Sequence, residues 1–240
     1  MRVGIFATCL VDVFFPEVGI SMVRVLRRLG FDVDFPEGQT CCGQPAFNTG
    51  YWAEGRRVAK GLIRAMESYD AVVTPSGSCA AMVRRMYPRL MDEEPEWKRR
   101  AEQLAARCFE FSEFLVQRGL VDLGARLEGT AVYHHSCHMR RELQVTEAPL
   151  RLLAHVRGLT LKALPHPEDC CGFGGTFAVK MGGISTAMAD EKVDHILSTG
   201  VDFLLGSDMG CLMNLGGRLS RRGEPVEVLH VAQLLDRGLN

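Results

Sequence analysis

The chain has 240 residues, 47% of them hydrophobic and 24% charged, with 28 basic side chains against 29 acidic ones. These values suit a globular chain with a sizeable core, while a net charge of −1 gives no electrostatic reason for nucleic acid or an anionic membrane as the main partner. Nine cysteines are too few for a disulfide scaffold, too many to be incidental, and odd in number, so a complete disulfide set is excluded.

The chain opens with an apolar strand, RVGIFATC, ending at Cys9. Asp12 interrupts the apolar run and no small-residue cleavage site follows, so a secretion signal is not expected. No apolar run approaches the roughly 20 residues of a membrane span, and the expected location is the cytoplasm. In that reducing compartment, clustered cysteines serve as metal ligands or redox thiols rather than structural bridges. EVGISMVRVLRRLG then places Val18, Met22, Val25, Leu26 and Leu29 on one helix face, with Gly30 as terminator. Cys41-Cys42-Gly43 follows, then the apolar run AVVTPSGSC ending at Cys79, then CFEFSEFLVQRG from Cys108. The segment from Gln117 to Gly129, rich in glycine and charge, reads as a junction.

Beyond the junction the same series returns. TAVYHHSC ends at Cys137, EAPLRLLAHVRG reads as a helix closing at Gly158, Cys170-Cys171-Gly172 repeats the tripeptide, DFLLGSDMGC ends at Cys211, and VEVLHVAQLLDRG starts at Val226. The landmarks are offset by 128, 129, 132 and about 119 residues, so the register holds through the cysteines and slips only at the end. This duplication predicts an α/β chain of two pseudo-symmetric repeats, 1–118 and 119–240, each a small open parallel sheet covered by helices.

In open parallel sheets the loops beyond the carboxyl ends of the strands share one edge, where ligands bind. Cys9, Cys41, Cys42 and Cys79 are therefore expected to converge in the first half, and Cys137, Cys170, Cys171 and Cys211 in the second. Zinc accepts four thiolates, but structural zinc sites usually draw on two close CxxC-like pairs, which neither half offers. Adjacent cysteines suit a centre with several metal atoms, as in an iron–sulfur cluster. Thiol–disulfide exchange at Cys41-Cys42 or Cys170-Cys171 is a third reading, and it leaves the four spaced cysteines without a task. Cys108 has no counterpart and is assigned to the core. His134, His135 and His138 flank Cys137 and are expected to influence a centre by hydrogen bonding rather than by ligation. His166 reads as a turn residue, Met82, Met86 and Met188 as packing residues, and Arg84-Arg85 and Arg140-Arg141 as solvated helix faces. Gly43 and Gly172 allow a tight turn, and a helix N-terminus after SGSC favours thiolate over thiol. No flavin or nicotinamide fingerprint is evident, so substrate oxidation needs a partner that carries the hydride acceptor.

The arrangement of Cys9, Cys41-Cys42-Gly43 and Cys79, repeated from Cys137 through Cys170-Cys171-Gly172 to Cys211, resembles the duplicated cysteine-rich CCG domain. That domain occurs in heterodisulfide reductases and in iron–sulfur subunits of glycolate, glycerol-3-phosphate and lactate oxidation systems. With CCGQPAFNTG in one half and CCGFGGTFAVK in the other, the whole chain is similar to the lactate utilization protein A family. The resemblance implies a cytoplasmic iron–sulfur subunit, a non-autonomous oxidoreductase component. It would work with iron–sulfur and dehydrogenase subunits that oxidise L-lactate, a 2-hydroxy acid, to pyruvate. The fullest CCG motif ends in CxxC and holds non-cubane clusters. Here Ser76 and Asp208 replace the first cysteine of that pair. Four thiolates per half, not five, favour an ordinary 4Fe-4S cluster, or one with a non-cysteine ligand, and weigh against heterodisulfide chemistry; one cluster per half, or at least one overall, is expected.

Overall fold

Every connection between strands is long enough for a crossover, so the strands pair in parallel. The computed structural model describes residues 1–240. In the first half, β1 (Arg2–Ile5), β2 (Asp32–Asp34), β3 (Ala71–Thr74) and β4 (Cys108–Glu110) form a parallel sheet in the order β2-β1-β3-β4. In the second, β5 (Arg126–His134), β6 (Arg157–Leu161), β7 (Phe203–Gly206) and β8 (Glu227–His230) repeat that order as β6-β5-β7-β8. Val3 lies opposite Val33 and Ala71, while Ala131 lies opposite Leu161 and Phe203. The strand order reverses direction between β1 and β3, and again between β5 and β7. The crevice at such a switch point is where α/β sheets bind ligands.

Helices flank both sheets, and those of one half pack on those of the other. Helix Pro16–Arg28, whose face of Val18, Met22, Val25 and Leu26 is buried, lies against helix Val231–Gly238. The equivalent pair on the other side is helix Phe111–Gln117 against helix Glu147–Ala154. Val3, Ile5, Phe111 and Phe114 therefore share one apolar cluster with Ala131, Tyr133, Leu229 and Leu235. Outer helices Trp52–Met66 and Gly182–Leu197 cover the opposite faces.

Two local features differ from the sequence expectation. Helix Glu147–Ala154 closes before Gly158, because Arg157 already pairs with Arg126 as the first residue of β6. The late slip in repeat register has a structural source. Helix Pro95–Ala105 of the first half has no counterpart, since helix Met209–Arg221 leads directly to β8.

The halves also meet on their repeat axis. Ser76 and Asp208, equivalent residues 132 positions apart, form an antiparallel bridge, and the Gly77 amide donates to the Ser207 carbonyl at 3.2 Å. Below it, Glu110 and His230 end β4 and β8 and cap the helices that follow. The Glu110 carboxylate accepts from the Ser112 and Glu113 amides, and the His230 ring bonds the Ala232 amide and the Pro75 carbonyl across the repeat interface.

At Gly77 an added Cβ would sit 2.6 Å from the Met139 Cβ of the other half, a rigid atom close to its own backbone. Gly77→Ala is expected to destabilise the chain by about 1–3 kcal/mol, read as a lower urea midpoint. Burial pushes the Glu110 carboxyl up to about 7. A carboxyl raised above its unfolded value stabilises the fold below that value and loses the contribution as pH rises through the folded one. The contribution of Glu110 is therefore expected to fall as pH rises from 5 to 8, read as the pH-dependent difference in unfolding free energy between the chain and Glu110→Gln, since His134 and His230, pushed down by burial, move total stability the other way.

Candidate metal centre

All eight repeated cysteines line one cavity of about 180 Å³ between the halves. Six loops deliver them. Cys9 and Cys137 follow β1 and β5, the two tripeptides follow β2 and β6, and Cys79 and Cys211 follow β3 and β7. The expected convergence within each half is present, and both sets open onto a common space. Each set is seated partly by the other half, because helix Cys9–Phe14 packs on helix Met209–Arg221 and the π-helical turn Met139–Leu143 packs on helix Gly77–Ala81. Cys108 lies apart, buried with Leu62, Tyr87 and Leu104.

The two tripeptides turn alike. Gly43 and Gly172 have φ of 82° and 79°, the left-handed region that glycine enters without a Cβ penalty, and each donates its amide to the sulfur of the first cysteine, Cys41 or Cys170, at 3.4 Å. At Gly172 a Cβ would also meet the Ser185 carbonyl at 2.6 Å. The carbonyl of the second, buried cysteine is anchored from outside in both halves, Cys42 by the Tyr87 hydroxyl at 2.9 Å and Cys171 by the Asn214 amide at 2.7 Å.

Ser76 and Asp208, which stand in place of a fifth cysteine, are helix N-caps. Ser76 Oγ accepts from the Cys79 amide at 3.2 Å, and Asp208 accepts from the Gly210 amide at 3.2 Å. Cys79 and Cys211 each fall in the first turn of the capped helix. Thr8, just before Cys9, takes φ of 71°, a strained conformation for a threonine and one held beside the site.

Within each set the first cysteine and the tripeptide pair shift one another. Hydrogen bonds from Cys42 and Cys9, then from the Gly43 amide, lower Cys41 to about 3, and the Cys9 and Cys41 sulfurs are 3.7 Å apart. Cys170 is lowered to about 2 by Cys137 and Cys171 in the same way. The donors move oppositely: Cys9 and Cys42 are raised by their bonds to Cys41, and Cys137 and Cys171 by theirs to Cys170. Negative charge is thus favoured on the first cysteine of each tripeptide, and a bound cation would displace protons from its neighbours.

The histidines divide. His138 Nδ1 lies 3.5 Å from Cys137 Sγ, as the expectation of hydrogen bonding beside the centre required, whereas His135 packs edge-on against Tyr133. His134 is buried, burial pushes it down to about 3, and one of its ring nitrogens lies within 4.8 Å of the Cys171 and Cys211 sulfurs. His166 sits in a turn with φ of 46°. Its carbonyl accepts from Lys192, a fully buried lysine that carries no motif signal in the sequence. Burial lowers Lys192, opposed by Asp169, Cys171 and Cys170. The arginine pairs are not simply solvated. Arg84 forms a two-pronged ion pair with Glu113 at 2.9 and 2.8 Å, Arg85 donates to the Glu142 carbonyl of the other half, and Arg140 pairs with Glu168.

A twofold-repeated α/β chain whose eight thiols share one cavity defines a cysteine-rich domain protein able to bind metal, and comparisons with known proteins agree. The family described as Cysteine-rich domain matches residues 3–84 and again 131–216. Lactate utilization protein A of Geobacillus kaustophilus is 54% identical over 237 residues, covering 98% of this chain and 99% of the relative. Lactate utilization protein A 2 of Bacillus cereus is 52% identical, with 100% of both chains covered. The chain belongs to the lactate utilization protein A family. A crystal structure of a hypothetical protein from Helicobacter pylori shares the fold, with a TM-score of 0.65 at 10% identity over 100% of this chain and 49% of that one.

The thiol chemistry gives a direct test. In metal-free protein under anaerobic conditions at pH 6, iodoacetamide is expected to modify Cys41 and Cys170 first. Cys108, pushed up to about 12 by burial, should react last. Mass spectrometry of the digests reads the order.

Proposed function

We propose that the chain is the iron–sulfur electron-transfer subunit of an L-lactate oxidation system, acting in the cytoplasm with dehydrogenase and iron–sulfur partner subunits. Cys9, Cys41, Cys42 and Cys79 of repeat 1–118 would hold one 4Fe-4S cluster, and Cys137, Cys170, Cys171 and Cys211 of repeat 119–240 a second. The observation that carries this reading is the single cavity lined by all eight sulfurs. Thiolates are the common ligands of such clusters, and the residues present fit: four soft donors per half, a glycine amide on one sulfur of each set, and a helix N-terminus behind another. Bound there, each cluster supplies reversible one-electron storage.

The remaining work falls to the chain itself. Cys79, Cys42, Cys171 and Cys211 are buried, so their sulfurs are shielded from solvent, while Cys9 is exposed and marks the open side of the site. Large apolar side chains are exposed on the segments that follow the ligand loops: Val13 and Phe14 after Cys9, Tyr51 and Trp52 after the first tripeptide, Val179 and Met181 after the second. They supply an apolar rim for a partner subunit. The lactate assignment is supported by the two relatives, both of which are lactate utilization proteins. No helix is long and apolar enough to cross a membrane.

Zinc is the competing occupant. It would fill each four-thiol set with a single ion, and nothing in that closed shell requires the two sets to face one another. Anaerobically purified protein is expected to be coloured and to contain iron and acid-labile sulfide. Cys171→Ser should remove or convert one of two clusters, and Cys108→Ser should leave the metal content unchanged. Iron analysis with electron paramagnetic resonance (EPR) reads both. Colourless protein with stoichiometric zinc overturns the proposal. With partner subunits added, lactate should reduce the clusters, and without them it should not.

A further inference from the structure

The two thiol sets are copies in backbone, but the layer packed against them differs. In the first half Phe6, just after β1, and Leu62, on the inner face of helix Trp52–Met66, belong to the same apolar cluster as Cys42 and Cys79. The equivalent positions in the second half, 128 and 130 residues on, hold His134 and Lys192. The alignment of the two outer helices is unambiguous. Gly55, Ala59, Leu62, Ile63 and Met66 are buried in one, and Ser185, Ala189, Lys192, Val193 and Ile196 in the other.

An apolar pair has thus been replaced by an imidazole and an ammonium in a buried layer, a costly exchange unless both groups are compensated. His134 is 2% exposed and neither of its ring nitrogens has a hydrogen-bond partner, so the fold gains no bond from it. One nitrogen faces the Cys171 and Cys211 sulfurs. Lys192 is 0% exposed and donates to the His166 carbonyl at 2.6 Å, and Asp169, Cys171 and Cys170 are the acidic groups that oppose the effect of its burial. Asp169 is half-exposed, so water screens it. Asp208 is a buried carboxyl group that also borders the cavity. Its carboxylate accepts from Gly210 on its own helix and from Ser76 and Ser78 of the first half; it raises Cys137 and Cys211 of its own set and so opposes Lys192 and His134, and its three donors offset that charge.

We infer that the second-half centre is the more readily reduced of the two, and that His134 and Lys192 make electrons pass from the first-half set to the second-half set. The inference rests on the iron–sulfur reading above. Reduction adds negative charge. A buried cation and an imidazole N–H beside one set stabilise that charge, and Phe6 and Leu62 beside the other do not.

The test is a potentiometric titration of the anaerobically loaded full chain, followed by EPR. Two separate reduction waves are expected. Cys42→Ser should retain the upper wave and Cys171→Ser the lower. Lys192→Leu, which copies Leu62, should lower the upper wave by about a tenfold change in its exchange constant, or ~59 mV for one electron, and leave the lower wave in place. His134→Phe, which copies Phe6, should shift the same wave in the same direction and serves if Lys192→Leu does not fold. Coincident waves, an upper wave that survives Cys171→Ser, or waves unmoved by the copying substitutions in iron-loaded protein would overturn this inference alone. Protein that binds no iron overturns the iron–sulfur reading together with it.

Discussion

The antiparallel bridge between Ser76 and Asp208 is the constraint on which the rest of the site depends. Each residue caps the helix that carries the last cysteine of its own half, and Asp208 also accepts from the Ser78 amide of the other half at 2.8 Å. A buried carboxylate is stable only where donors satisfy it, so its three amide and hydroxyl donors fix both loops at once. From that point the positions of Cys79 and Cys211 follow. The close approach of Gly77 to Met139 and the packing of helix Cys9–Phe14 on helix Met209–Arg221 then bring in the loops of Cys137 and Cys9. The residues that occupy the place of a fifth cysteine have exchanged a ligand for a structural tie between the two halves.

Clustered thiols in a confined space raise an electrostatic problem that the backbone solves. Four thiolates together repel one another, and burial penalises each charge. The free protein places the charge on Cys41 and Cys170, the two sulfurs that accept a glycine amide as well as neighbouring thiols. Both glycines need positive φ to aim that amide, which makes the third residue of the tripeptide as chemically specific as the two cysteines.

Duplication supplies symmetry, and the departures from it carry information. Helix Pro95–Ala105 lengthens the first half away from the cavity, where it leaves the thiols in register. The exchange of Phe6 and Leu62 for His134 and Lys192 lies against the thiols, where a change in polarity acts on whatever they bind.

Much of this is legible in the sequence. Strand and helix periods, the duplicated tripeptide and the spacing of eight cysteines determine two parallel α/β repeats and the loops that carry the thiols, because those signals are local and recur at fixed offsets. The helix end is not at Gly158, since pairing of Arg157 with Arg126 is a long-range competitor that no local pattern reveals. Lys192 gives no signal because one lysine in an amphipathic helix looks like a solvated residue until the helix is docked with that face inward. Only the tertiary structure decided that the two thiol sets share one cavity, that Ser76 and Asp208 join them, and that the second set alone rests against an imidazole and an ammonium. Those outcomes depend on how one half packs on the other, and sequence periodicity specifies which face of an element is apolar but not which surface it will meet.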